Sequence, residues 1–265
     1  MLINLRTRSN GTLTSRNANC WSKRKKNRPT GPLLVADGTV YASTQGHFYA
    51  LSVHTGEVIW RQTATEPQPV TDDAHPRVPS FVGPPGVADG LVIVGNKNQI
   101  VRAFDAATGD ERWRFDGATA SILEAPTILG KTVYVTTQTE LFALNLHDGS
   151  LKWSITEDMS SVRSPVTDGQ TLYISKGPAW ESLSLVALDV EARYLAGQFR
   201  GDSSASSNLG PRYVYAPMQQ LLAIGRQSGE IAWRMKSDGI YNTPVVTPEA
   251  IFAADLETLY AIGPR

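Results

Sequence analysis

Apolar residues along this chain fall into short runs of strand length, and one of those runs keeps returning. A residue, then alanine, then an apolar residue occurs six times: Tyr49-Ala50-Leu51, Arg102-Ala103-Phe104, Phe142-Ala143-Leu144, Val186-Ala187-Leu188, Leu222-Ala223-Ile224 and Tyr260-Ala261-Ile262. In four copies a tryptophan stands nine residues beyond the apolar member, linking Leu51 to Trp60, Phe104 to Trp113, Leu144 to Trp153 and Ile224 to Trp233. Between them lies a turn sequence with glycine, as in Thr108-Gly109-Asp110 and Asp148-Gly149-Ser150. The spacing predicts a hairpin whose glycine takes a positive φ at no steric cost. A second hairpin lies upstream of each. Asp37-Gly38-Thr39-Val40-Tyr41 recurs as Asp89-Gly90-Leu91-Val92-Ile93, Gly130-Lys131-Thr132-Val133-Tyr134 and Asp168-Gly169-Gln170-Thr171-Leu172-Tyr173, with looser copies ending at Tyr215 and Phe252.

Each repeat therefore holds four short strands, at intervals of roughly 36 to 53 residues, and leaves no room for helices. A four-stranded unit with this period predicts an all-β β-propeller of about six four-stranded blades. The sixth repeat stops at Gly263-Pro264-Arg265, before a fourth strand. Trp21 lies 20 residues before Tyr41, matching the tryptophan-to-aromatic spacing of the other repeats, and Asn17 stands where they have glycine. Residues 14–22 are thus expected to supply the missing strand, so that the N-terminal strand pairs with the C-terminal blade and removes an open sheet edge. This gives one propeller domain over residues 14–265, with residues 1–13 disordered or loosely attached.

The pattern of these residues, D-G-x-V-Y, then Y-A-L-D, then T-G-x-x-x-W, resembles that of the PQQ-like repeat (quinoprotein-type) propellers, which include the BamB-like propeller proteins. The likeness covers nearly the whole chain. It implies that Trp21, Trp60, Trp113, Trp153 and Trp233 dock neighbouring blades together. It also implies a cell-envelope or extracytoplasmic setting, although no signal peptide is visible: Met1-Leu2-Ile3-Asn4-Leu5-Arg6 turns polar too soon. Two features depart from the family. Well-studied members have eight blades, so a smaller ring and a truncated gene both fit a count of six. The fourth repeat is degenerate, since Leu188 to Tyr194 lacks the glycine and Tyr194 stands three residues short of the usual spacing.

Charge adds no partner. The 25 basic and 25 acidic residues cancel, leaving no global field toward nucleic acid or an anionic membrane. Apolar runs are too short to span a bilayer as a helix. Hydrophobic content of 41% suffices for a substantial core, and the single cysteine, Cys20, allows no intramolecular disulfide. It also bears on cofactors. Resemblance to quinoprotein dehydrogenases implies bound calcium, a carboxylate base and adjacent cysteines against the quinone, and one cysteine cannot make that pair. No PQQ or other cofactor is expected.

Candidate chemistry is sparse. His47, His54, His75 and His147 show no metal-ligand spacing. His75 belongs to Thr71-Asp72-Asp73-Ala74-His75-Pro76, read as a solvated insertion between the first two blades, and Lys23-Arg24-Lys25-Lys26-Asn27-Arg28 reads as a solvated connector. No nucleophile elbow, phosphate loop or carboxylate dyad stands out, so no catalytic and no metal-binding residue is assigned. The residues entering each first strand are more informative. Thr30, Glu124, Arg163 and Asn242 precede or begin equivalent stretches and differ in charge, as a binding surface at a channel mouth would. The expectation is a non-catalytic interaction or assembly scaffold with a protein partner. The alternatives are a small-ligand or sugar-binding module at the channel mouth and, third, a quinone-dependent oxidoreductase.

Overall fold

The structure is a computed structural model that describes residues 31–44, 46–64, 81, 83–156, 163–176, 184–190, 195–200, 207–217, 220–235, 243–255 and 257–263. All regular structure among them is β. The strands fall into two compact units, one within Asn19–Met159 and the other containing Ser160–Arg265.

The first unit carries three antiparallel four-stranded sheets, each with its strands paired in chain order. They are β1 (Leu34–Ala36), β2 (Thr39–Thr44), β3 (His47–Ser52) and β4 (Val58–Thr63); β5 (Gly86–Ala88), β6 (Leu91–Gly95), β7 (Val101–Asp105) and β8 (Glu111–Phe115); and β9 (Thr127–Leu129), β10 (Thr132–Thr136), β11 (Leu141–Asn145) and β12 (Leu151–Ile155). In the second unit, β13 (Val166–Thr167), β14 (Thr171–Lys176), β15 (Ser184–Asp189) and β16 (Leu195–Arg200) form a fourth sheet. A fifth comprises β17 (Asn208–Leu209), β18 (Tyr213–Pro217), β19 (Leu221–Gly225) and β20 (Ile231–Met235). The sixth has three strands among the described residues, β21 (Val245–Val246), β22 (Ile251–Ala254) and β23 (Leu259–Ile262). The expected closing strand, with Trp21, lies outside the described residues.

Local chemistry explains the hairpins. The two-residue loops Asp37-Gly38 and Asp89-Gly90 place both residues at positive φ (47° and 73°, 47° and 71°), the primed turn whose twist suits a tight hairpin. The turn between the third and fourth strands of a sheet is longer and closes on glycine. Gly109 and Gly149 sit at φ 80° and 71°, each donating its amide to the carbonyl four residues earlier, Asp105 or Asn145, at 2.9 Å.

Burial follows from stacking sheets face to face. A sheet covered on one side shows alternating burial, whereas a sheet covered on both reads as a continuous apolar run. The middle strand β6 is buried at every position, while the outer strand β8 buries Trp113 alone. Between the first two sheets Phe48, Phe81, Phe104, Trp60 and Val92 form one core; between the second and third, Ile93, Trp113, Val133, Phe142 and Leu144 form another. Within the second unit Leu185, Val214 and Ile224 pack together, as do Leu221, Ala223 and Ile251. The short first strands contact one another, β5 with β9, β13 with β17 and β17 with β21, so each unit fans out from its first strands.

A bulge recurs in every four-stranded sheet. The register slips after the motif alanine, so that Ala50 faces Trp60 while Leu51 faces Val58, and the same step recurs after Ala103, Ala143, Ala187 and Ala223. A bulge re-aims the strand that carries it. Here it sets the tryptophan directly opposite an alanine whose exposure is 0% in all four tryptophan-bearing sheets. A bulkier residue would compete with the indole for the same space, which accounts for the alanine in the four copies of the phrase that face a tryptophan.

Candidate functional site

The junction between sheets is the best-defined chemistry. Trp60 of the first sheet reaches the third-to-fourth-strand turn of the second, where its Nε1 donates to the carbonyl of Ala106 at 2.9 Å. Trp113 of the second sheet repeats this on the third, donating to Leu146 at 2.8 Å. Each indole lies flat against the turn glycine: a Cβ built on Gly109 would sit 2.7 Å from the Trp60 ring, and one on Gly149 2.5 Å from the Trp113 ring. The glycine thus answers two demands, a left-handed backbone and an absent side chain. In three sheets a tyrosine of the same sheet also lies against the indole, whereas Ile93 takes that register position in the sheet of Trp113. Centroids of Tyr41 and Trp60, Tyr134 and Trp153, and Tyr215 and Trp233 lie 6.0, 5.9 and 5.9 Å apart, all tilted.

The connector from β8 to β9, residues 116–126, is the second feature. It crosses back over the turn between β6 and β7, which holds it at several points. Asn96 Oδ1 accepts the amides of Asn98 and Ile100, both at 2.9 Å, stiffening that turn. Ile122 donates its amide to the Asn96 carbonyl at 3.0 Å and buries its side chain to 1% exposure. Gln99 Nε2 donates to the Thr119 carbonyl at 2.9 Å, and Ser121 Oγ to that of Lys97 at 2.8 Å. From the third sheet, the buried Glu140 accepts the Thr119 amide at 3.0 Å and the Thr137 hydroxyl at 3.2 Å. Gly83 packs against the Leu123 and Glu124 carbonyls, since a Cβ there would stand 3.0 Å from both. Leu123, 39% exposed, points outward beside the half-buried Glu124, and Asp116, Gly117 and Thr119 are exposed with it.

The second unit holds a polar cleft of about 640 Å³ between the fourth and fifth sheets. Its wall is an ion pair: Arg226 Nη2 and Nε stand 2.8 and 3.1 Å from Asp168 Oδ2, and Arg226 Nη1 donates to the Gly210 and Pro211 carbonyls, both at 3.2 Å. Tyr173 donates its hydroxyl to the same Asp168 oxygen at 3.2 Å. Burial works against the charged form of Asp168. The amides of Thr171 and Gln170 and the Arg226 guanidinium outweigh it and hold the carboxyl below the usual carboxylate range. Burial likewise disfavours the Arg226 cation, and the bond to Asp168 more than restores it, so its pKa moves up. Desolvation, reinforced by the Asp168 charge, raises the Tyr173 phenol.

Of the expected channel-mouth residues, Glu124 lies on the connector of the first unit and Arg163 just before β13 in the second, both half-buried. Thr30 and Asn242 lie outside the described residues, as do His75, Cys20 and the run Lys23–Arg28. His54 and His147 occupy turns. His147 Nε2 comes within 3.9 Å of Asp89 Oδ2, an exposed pair that contributes little. Among the described residues no group of three or more His, Cys, Asp or Glu could hold a metal ion, and no helix is long and apolar enough to cross a membrane. The asparagine-pinned connector and the Asp168–Arg226 pair went unread in the sequence. Asn96-Lys97-Asn98-Gln99 was the available signal for the first, and Arg226, at a position apolar in other repeats, for the second.

Stacked antiparallel four-stranded sheets tied by tryptophans define the class, a β-propeller. Its repeats resemble those of the PQQ-like propellers, the BamB-like proteins among them. The family described as outer membrane protein assembly factor BamB matches residues 7–79. An outer membrane protein assembly factor BamB of Xanthomonas campestris is 37% identical over 83 residues, 30% of this chain and 19% of that protein. A quinohemoprotein alcohol dehydrogenase of Pseudomonas putida is 36% identical over 91 residues, 32% of this chain and 12% of the relative. The chain therefore spans a small part of these relatives' length. The crystal structure of BamB from Moraxella catarrhalis superposes with a TM-score of 0.70 at 17% identity, covering 91% of this chain and 75% of that one, a likeness of fold.

Proposed function

We propose that this chain is a non-catalytic interaction scaffold that docks a protein partner. The observation that carries the reading is the connector 116–126. Loops on rigid frameworks are the usual place for recognition, and one already ordered costs less to bind. Hydrogen bonds from two sheets order this one, yet it leaves Leu123 exposed next to a carboxylate. An apolar anchor rimmed by polar groups suits a protein surface. The family match to an assembly factor supports the same role, and Glu124, the expected channel-mouth residue, would form part of the contact. The quinoprotein relative speaks for the third reading, and fold alone does not choose between them.

Site-specific photocrosslinking in the native host tests the proposal. A photoreactive residue at position 123 should give one discrete protein adduct, lost on Glu124→Lys, whereas the same residue at Ile59 on an outer strand should not. Equal adducts at 123 and 59 would defeat it. So would saturable uptake of added quinone with calcium, read by absorbance and accompanied by alcohol oxidation.

A further inference from the structure

The fourth sheet differs from the other four-stranded sheets at the tryptophan position, and a cleft lies between its first hairpin and the fifth sheet. Four sheets pair the motif alanine with tryptophan, but Ala187 of β15 pairs with Gly197 of β16. The tryptophan's place at this junction is held by a residue with no side chain. The receiving turn on the fifth sheet is altered too. In each four-stranded sheet a backbone bond ties that turn to the first hairpin, as from Ala106 N to Gly90 O, Leu146 N to Lys131 O, and here Arg226 N to Arg212 O. The residues whose carbonyls accept an indole N–H elsewhere, Ala106 and Leu146, thus correspond to Arg226. The cleft of about 640 Å³ lies beside it, lined among others by Asp168, Gln170, Arg212, Arg226 and Ser228.

We propose that this cleft is a socket for a tryptophan side chain presented by a partner protein. The junction keeps the parts that hold an indole elsewhere. Gly229 retains the left-handed turn conformation, φ 69°, of the glycines beneath Trp60 and Trp113. The Arg226 carbonyl takes the acceptor's position in the chain. Tyr173 occupies the place of Tyr41, Tyr134 and Tyr215, the rings that flank their tryptophans. The novelty is Arg226 itself, whose guanidinium is held flat by Asp168 and two carbonyls. A fixed guanidinium attracts an aromatic face, and most strongly that of tryptophan. Two arginines against one aspartate leave the rim positive, so the residues flanking the incoming tryptophan are acidic. The volume lies in the range of small-molecule pockets and admits an indole with adjoining backbone. This socket lies in the other unit from the Leu123 connector, and its test is separate from that of the connector.

The test uses the full chain and N-acetyl-L-tryptophanamide as probe, with N-acetyl-L-leucinamide as control, followed by NMR. The tryptophan amide should bind saturably and at least about tenfold more tightly than the leucine amide, shifting Arg226 and Gly229 resonances. An acetyl-Asp-Trp-Asp peptide should bind more tightly than acetyl-Lys-Trp-Lys, the gap closing with added salt. Gly197→Trp should fill the socket from within, raising Tm and abolishing probe binding. Probe binding retained in Gly197→Trp would place the site elsewhere and overturn the proposal. Should that variant fail to fold, Arg226→Leu decides: undiminished affinity for the tryptophan amide is fatal. If binding appears only after Tyr194→Ala, the chain fills its own cleft and the socket is not for a partner.

Discussion

Gly149→Ala and Gly38→Ala make a matched pair that isolates the inter-sheet contact from backbone strain. The two glycines have nearly the same φ, 71° and 73°. Alanine at either should cost about 1–2 kcal/mol for holding a Cβ in the left-handed region. A Cβ on Gly38 meets nothing within 4 Å, whereas one on Gly149 lands 2.5 Å from Cε3 and 2.8 Å from Cδ2 of Trp113. The Trp113 ring, 7% exposed and closed in by its own core, has little room to withdraw. Overpacking of this kind adds about 1–3 kcal/mol, and displacing the ring endangers its 2.8 Å bond to the Leu146 carbonyl, about 1–3 kcal/mol more if the buried N–H is orphaned. Gly38→Ala should therefore cost about 1–2 kcal/mol and Gly149→Ala about 2–5, rising further if the indole N–H loses its acceptor. Urea unfolding followed by circular dichroism reads both. The double variant Trp113→Ala/Gly149→Ala should cost less than the sum of the two single variants, a non-additivity expected only of residues in contact. Equal costs for the two single variants, within about 0.5 kcal/mol, would refute the stacking account.

Trp113→Ala alone should destabilise by about 3–5 kcal/mol in the same assay, since it leaves a cavity between two sheets and an unpaired Leu146 carbonyl; a loss below about 1 kcal/mol contradicts the packing. Asp168 has a depressed carboxyl pKa, so the stability it lends is fully present above its unfolded value of about 3.9 and disappears as pH falls through the lower folded value. Thermal melts of wild type and Asp168→Asn should accordingly differ by a constant amount from pH 7 to about 5 and converge in more acid solution, whereas a gap that stays constant to pH 2.5 would deny the charged pair its role. Arg102, its side chain 9% exposed, meets Glu111 at 2.6 Å, and burial already pulls its pKa down. Glu111→Gln should cost about 1–3 kcal/mol in urea by removing the charge that Glu111 sets against that cation, with Arg102→Met/Glu111→Gln recovering much of it.

The sequence by itself determined the class of fold, because a propeller sheet is specified by local chemistry repeated at a fixed period. Asp37-Gly38 and Asp89-Gly90 encode hairpin turns within a few residues, and Gly109 and Gly149 show the glycine that a left-handed turn needs. The tryptophans, too, were legible as a spaced set. Their partners were not. Trp60 and Ala106 are 46 residues apart, and Trp113 and Leu146 33, distances set by how one sheet stacks on the next rather than by any local pattern. The role of the motif alanine, opposite an indole across a bulge, likewise emerged from strand register. Nine residues beyond Leu188 the chain reads Gly197, so the fourth sheet's missing indole was countable, although Tyr194 is the nearer aromatic. Countability did not reveal the consequence. Only the packed turns of the fourth and fifth sheets bring Arg226 onto Asp168, 58 residues away, and open a polar cleft beside them. The connector at Leu123 follows the same rule, since a segment without periodicity takes its shape from Asn96, Gln99 and Glu140 beneath it, and those bonds exist only once the sheets have stacked.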